Sequence, residues 1–342
     1  PCGRVTYSRR SKNQENLAIG RVDYQATNNH TIFGRYQLAA YDSESDADPN
    51  NVLAYATAPL TDRVHSFVAG DTYLLGPNAV SSFRLTYNNS QIHRTWSKYF
   101  DAQEMGVRNI ANMMPGFMRV TVGGGFTLGP ASASASDTPT KTFQLTEDFS
   151  WIRGSHQIGF GANYIHSSLD AKSYINAAGA FTFTNQNTGL GLADFLIGRP
   201  SQLQQGMVYY LRQKNNYIGT YVQDTWKVHP RLTLNLGLRW EPYLPLLGDD
   251  KDFNHFSLAQ FNAGVRSTVF RNAPAGVIFE GDPGYPGNAV GTKHWNDLAP
   301  RLSAAWDVTG DGKTTIRSAW GRFFDLPNLN MFIGFRSEEH TS

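Results

Sequence analysis

Five times along this chain, apolar and polar residues alternate with a period of two on either side of a short turn, and this repetition restricts the fold most. A period of two puts successive side chains on opposite faces of an extended strand, so each pair reads as a half-buried antiparallel hairpin. In the first, Ala18, Val22, Tyr24 and Ala26 share a face, Asn28-Asn29-His30 reverses the chain, and Ile32, Tyr36 and Leu38 return. In the second, Phe67 to Leu74 leads through Gly76-Pro77-Asn78 to Phe83, Leu85 and Tyr87, which alternate with Ser82, Arg84, Thr86 and Asn88. The third runs from Phe143 to Trp151, turns at Arg153-Gly154-Ser155 and returns with Ile158, Phe160, Ala162 and Tyr164. The fourth is the clearest: after His229-Pro230, Leu232, Leu234, Leu236, Leu238 and Trp240 alternate with Thr233, Asn235, Gly237, Arg239 and Glu241. The fifth sets Leu302, Ala304 and Trp306 opposite Arg301, Ser303 and Ala305. Its turn, Thr309 to Lys313, contains Asp311-Gly312, a strong hairpin signal.

Between the hairpins lie long connections, at approximately residues 42 to 62, 97 to 140, 170 to 214 and 246 to 297, rich in Gly, Pro, Ser and Asn. Tight turns and long excursions therefore alternate. Compact soluble domains rarely tolerate several structureless loops beyond about 15 residues, whereas membrane barrels carry short turns at one rim and long loops at the other. A spanning helix needs roughly 18 or more consecutive apolar residues, and no stretch here sustains that. A spanning strand shows lipid only its alternate side chains, so a mean hydropathy of -0.40 with 17% charged residues is no obstacle. From Leu232 to Trp240 the strand covers roughly 26 Å at about 3.3 Å per step, or about 19 Å of depth at 45° tilt. Flanking residues extend it to an apolar band of about 25 Å. The expected fold is all-β: a partial antiparallel up-and-down transmembrane β-barrel over residues 1–335, embedded in outer-membrane lipid, with short periplasmic turns and long extracellular loops. Within one loop, LADFLIG at 192–198 reads as a short helix or strand.

Aromatics fall where the two membrane interfaces would lie. Tyr24, Tyr73, Trp151, Trp226 and Trp306 stand beside short turns, and Tyr36, Tyr87, Tyr164, Trp240 and Trp320 stand towards the long loops. Trp and Tyr favour the headgroup level because part of the ring is apolar and part hydrogen-bonds. The alternative is that these rings fill a soluble core. On the wet faces, Arg84, Arg239, Glu241 and Arg301 are candidates to line a lumen, against ordinary solvation of a polar wall.

Other chemistry has little support. A formal charge of +2 provides no basic patch for nucleic acid. One cysteine, Cys2, allows neither an internal disulfide nor a four-cysteine zinc site. The nine histidines form no H-E-x-x-H and read as isolated surface or lumen residues. Gly310-Asp311-Gly312-Lys313-Thr314 resembles a phosphate loop, but Asp307 stands where that loop needs glycine. As a calcium loop it lacks the acid at its twelfth position, Ser318. Acidic residues are scattered, with no placed pair for glycoside hydrolysis. No catalytic residue, metal ligand or cofactor is assigned. The opening PCGRVTYSRR lacks the features of a signal peptide, and Arg336 to Ser342, RSEEHTS, read as a translated sequencing adapter.

The segments YVQDTWKVHPRLTLNLGLRWEPY, LAPRLSAAWDVTGDGKTTIRSAWGRFFD and LADFLIGRPS resemble the barrel of TonB-dependent receptors, and more narrowly the Oar-like subgroup. The resemblance implies a barrel of about 22 strands around an N-terminal plug, importing a scarce ligand with energy relayed by TonB. It makes Arg239 and Glu241 candidates for plug contact. No plug, TonB-contacting box or closing strand is recognised in these residues, so about ten to twelve mid-barrel strands are expected. Siderophores, cobalamin and glycans are the ligand classes such receptors handle. Two other readings are an outer-membrane adhesion or structural barrel and a soluble secreted glycan-binding β-domain. Leu232, Leu234, Leu236 and Leu238 decide between them: lipid should touch them in a barrel, and a second layer of protein in a soluble domain.

Overall fold

In the computed structural model the described residues are 6–325, less residues 9, 46, 47, 49, 55–57, 96, 112, 130–135, 175, 176, 178, 249–253, 286 and 290. The adapter-like residues 336–342 and Cys2 lie outside them. All five hairpins form. Their ten strands are β1 (Asn13–Thr27), β2 (His30–Ser43), β3 (Leu60–Leu74), β4 (Ala79–Arg94), β5 (Ser136–Arg153), β6 (His156–Ser173), β7 (Tyr209–His229), β8 (Leu232–Trp240), β9 (Leu298–Asp307) and β10 (Thr315–Gly321). Each pairs antiparallel with the next, giving an up-and-down sheet in chain order. A short strand, Leu247–Gly248, adds to β7. Among the described residues β1 and β10 each pair on one side only, so the barrel is partial.

The tight rim follows from local chemistry. Asn28-Asn29 and Gly154-Ser155 are two-residue turns. At the β9–β10 turn, Gly310 and Gly312 have φ of 81° and 74°, values that disfavour side chains. Their N–H groups donate to the two oxygens of Asp307 at 2.9 and 3.0 Å, which makes this segment a turn built around a carboxylate. Register shifts at Gln25/Thr27 and Lys227/His229 place bulges at the same rim. The first takes Ala26 out of the ladder, so Ala26 does not continue the face of Val22 and Tyr24 as the alternation suggests.

Directly opposed residues share a face, and the register sorts the wall into an apolar and a polar side. One rung joins Ile158, Asp224, Leu236, Leu302 and Trp320, and another joins Phe160, Val222, Leu238 and Pro300. Leu236 and Leu238 are 40% and 43% exposed, and Leu232 and Leu234 are half-buried between neighbouring strands. The contacts of β8 run to β7 and β9.

The long loops depart from the expectation of structureless connections. Arg119–Val122, Thr127–Leu128, Ala180–Phe183 and Gln202–Gln204 form a four-stranded sheet drawn from two separate loops, with Arg119–Val122 parallel to Ala180–Phe183. Helix α1 (Gly191–Leu196) covers it, Phe195 meeting Phe126 and Phe183 edge-on at 5.5 and 5.3 Å. Ala102, Ile110, Met118, Val120, Val122, Phe181 and Phe183 form its buried core. These strands are two to four residues long, and the pairing that joins the two loops is far apart in sequence, so periodicity gives no local sign of them. The last loop holds α2 (Leu258–Asn262), capped by the Ser257 hydroxyl.

Candidate functional site

The polar side of the wall carries two adjoining hydrogen-bonded clusters, one centred on Arg239 and one on Asp148. Alternation brings Arg84 of β4, Asp148 of β5, Asn163 of β6, Tyr217 and Tyr221 of β7 and Arg239 of β8 to the same face. Arg239 Nε donates to Glu241 Oε2 at 2.8 Å, and its Nη2 reaches Tyr217 Oη at 2.5 Å and Asn163 Oδ1 at 3.2 Å. The Tyr217 hydroxyl donates to the same Glu241 oxygen at 2.8 Å. Across the sheet, Tyr221 donates to Asp148 Oδ1 at 2.7 Å, while Arg84 pairs with Asp148 Oδ2. Arg301 stands apart, its guanidinium 4.7 Å from the centre of the Phe323 ring.

Glycines open the space for these long side chains. A Cβ at Gly219 would lie 2.4 Å from Arg239 Nη2 and 2.6 Å from Asn163 Oδ1; one at Gly161 would lie 2.7 Å from the Tyr221 ring. Each cluster holds one acid and one arginine that balance, so together they brace a polar wall of alternating donors and acceptors. Sequence reading selected Arg84, Arg239, Glu241 and Arg301 but missed Asp148, Asn163, Tyr217 and Tyr221. Their parity and the glycines opposite them were the available signal.

The aromatic candidates lie on the apolar side. Tyr24, Tyr73 and Trp306 are exposed near the tight turns, and Trp151 and Trp226 are half-buried there. Towards the loops, Tyr36, Tyr87 and Trp320 are exposed, and Tyr164 and Trp240 are half-buried. Tyr36 packs on Phe67 at 4.7 Å and Tyr164 donates to Asn216 at 2.9 Å. Trp320 shares a rung with Leu236, two outward positions short of Trp240.

The same side holds histidine pairs that the reading of isolated histidines did not anticipate, His93 with Asp137 towards the loops and two more at the tight rim. His30 and His156 are each the first residue after a tight turn. His30 Nε2 meets Asp71 Oδ2 at 3.1 Å with its ring edge-on to Tyr73, and His156 Nδ1 meets Asp224 Oδ2 at 2.6 Å with its ring stacked on Trp226. Pairing lets each carboxylate occupy an otherwise oily face near the membrane boundary.

In the extracellular loops, buried carboxylates act as rivets. Asp194, fully buried, accepts from the Thr188 hydroxyl at 2.6 Å and the Thr188 and Asn187 N–H groups at 2.8 and 3.1 Å. The Thr188 hydroxyl, with these N–H donors, holds its carboxyl below the usual range against the opposing effect of desolvation. For Asp282, burial pushes the carboxyl up, but donors from Ser267, Phe279 and Thr268 outweigh it and leave the carboxyl far below the usual range.

Comparisons place this geometry. Residues 3–340 match the family model described as "Outer membrane beta barrel domain". No curated protein sequence matches significantly. Among solved structures, the copper transporter OprC aligns with TM-score 0.50 and 10% identity over 92% of this chain and 38% of its own. The outer membrane transporter YddB from Escherichia coli gives 0.49 and 12%, over 92% and 32%. The siderophore receptor PiuA from Acinetobacter baumannii gives 0.49 and 12%, over 91% and 42%. This chain thus spans between about a third and two fifths of the structures it resembles, and at such identity the likeness concerns fold alone. With ten strands in meander order, one oily and one charged face, and a match along nearly its whole length, the chain belongs to the outer membrane beta barrel domain family of the bacterial outer membrane.

Proposed function

We propose that this chain is part of the wall of a TonB-dependent receptor that captures a scarce ligand outside the cell and admits it through the lumen. The observation that carries the reading is the asymmetry of the rims: tight turns on one side, and on the other loops with their own buried core and α1. A rigid loop body above a polar wall is suited to a binding mouth, because loops set specificity while the sheet holds them in place. The metal and siderophore cargo named for OprC and PiuA supports a small chelate or metal as ligand class, with cobalamin and glycans also open. Arg84, Arg239, Glu241 and Arg301 are proposed to face the lumen and a plug domain of the longer protein, and the ten aromatics to form the two membrane girdles. TonB would engage through that plug. No part of this reading assigns the protein an enzymatic activity.

The test is uptake of labelled ferric siderophore, copper, cobalamin and oligosaccharide by cells with and without the gene. Gene-dependent uptake of one class, abolished by an uncoupler, is expected. Unchanged uptake of all four, with lost surface attachment, would favour the adhesion reading.

A further inference from the structure

The oily face of the wall continues beyond the end of β8. Leu298, 44% exposed, pairs with Trp240 at the extracellular end. Beside it Trp295, 53% exposed, stacks on Trp240 with ring centres 6.3 Å apart, and its carbonyl accepts the Trp240 indole N–H at 2.7 Å. The chain from Lys293 to Asp297 lines a cleft of about 440 Å³. Asp297 is committed to the wall, accepting the Tyr243 N–H at 3.1 Å, and His294 lies against the Tyr243 ring. Lys293 is exposed and takes part in no ion pair among the described residues. An open aromatic surface and an exposed lysine outside any ion pair among the described residues thus stand beyond the leucines of the oily face, with the Asp297 carboxylate of the same cleft turned to the Tyr243 N–H.

We propose that this cleft seats the phosphorylated headgroup of an outer-leaflet lipid, with Lys293 on the phosphate and Trp295 against the saccharide or glycerol. Continuity argues for a lipid as occupant. Leu236, Leu238 and Leu298 are exposed on the oily face, where acyl chains would lie in a membrane, so the next chemistry along the same face is the headgroup of those molecules. Tryptophan concentrates at that level, and a basic residue near an anionic lipid surface gains about 1 kcal/mol. The inference rests on membrane placement and not on transport, so it can fail while the receptor reading stands.

The experiment reconstitutes the full chain in phosphatidylcholine nanodiscs with a minor fraction of either a phosphorylated or a dephosphorylated diglucosamine glycolipid, and counts retained lipid by native mass spectrometry. The wild-type chain is expected to retain the phosphorylated form preferentially. Lys293→Gln should lower that retention about fivefold, the equivalent of about 1 kcal/mol. Trp295→Ala should lower it while Trp295→Tyr keeps it, and Lys313→Gln at the opposite rim should leave it unchanged. Equal retention of the two glycolipids, or no difference between Lys293→Gln and Lys313→Gln, would overturn the proposal. Displacement by inorganic phosphate would assign the cleft to a soluble anion and overturn it equally. Should a variant fail to fold, the wild-type preference between the two lipids still decides.

Discussion

In the wall, Leu236 and Leu238 are 40% and 43% exposed; in the extracellular loop body, Val120 and Phe183 are 1% and 6% exposed. One chain therefore disposes of apolar side chains in two ways, set by what lies outside them. The wall leaves them uncovered because lipid is as apolar as they are, and its cohesion comes from the backbone ladder, every rung of which must be satisfied in hydrocarbon. The loop body stands in water and must cover its own, so it behaves like a miniature soluble domain. Burial taken alone would locate the core of this protein in its loops.

The sharpest test of that contrast is truncation. Phe183→Ala should cost the loop body about 3–5 kcal/mol, as for other buried aromatics. Hydrogen exchange should then accelerate in residues 119–128 and 180–204 while the strands stay protected. Equal acceleration in β5 to β8 would show that the two regions are not separate. Charge insertion probes the wall instead. Leu236→Arg should destabilise the bilayer-folded chain by about 2–4 kcal/mol, the penalty for a cation at mid-membrane on the lipid face. Ser303→Arg, on the polar face, should cost far less in the same urea titration. A smaller effect is expected at Gly219→Ala: displacing Arg239 Nη2 weakens its bonds to Tyr217 and Asn163, about 1–2 kcal/mol. A cost near zero would mean that the Arg239 cluster is slack.

Acid separates the regions more gently. Asp194 and Asp282 have carboxyls held below their ordinary value, so their contribution is complete above about pH 5 and fades as pH falls through and below about 3.9. Loop amides around Thr188 and Ser267 should open first on acidification. Asp194→Asn should remove the part of that pH dependence seen at Thr188. If β2 and β3 open at the same pH as the loops, the rivets are not the acid-sensitive element.

The wall was legible in the sequence and the sheet of the loop body was not, for the same reason; within that body only α1, which overlaps the LADFLIG stretch read as a short helix or strand, showed locally. Leu232 to Trp240 displays its period because lipid lies on one side and a polar lumen on the other. Tyr209 to Lys214 belongs to β7 as well, yet it read as loop because the alternation fades where the strand runs on past the clear pattern. The parallel pairing of Arg119–Val122 with Ala180–Phe183 leaves no local periodicity at all. On the polar face, charged Arg239 and Glu241 stood out, whereas the uncharged Tyr217 and Tyr221 did not. His30 and His156 showed no metal spacing, and their aspartates lie on other hairpins.

That parallel pairing has a mechanical consequence. Two excursions that leave the wall at different hairpins are joined by rungs from Arg119 to Val122, so neither can swing outward without carrying the other or tearing the seam. An object pressing on α1 would therefore be felt at the bases of both β5 and β7, on either side of the strand that carries Gly161 and Asn163.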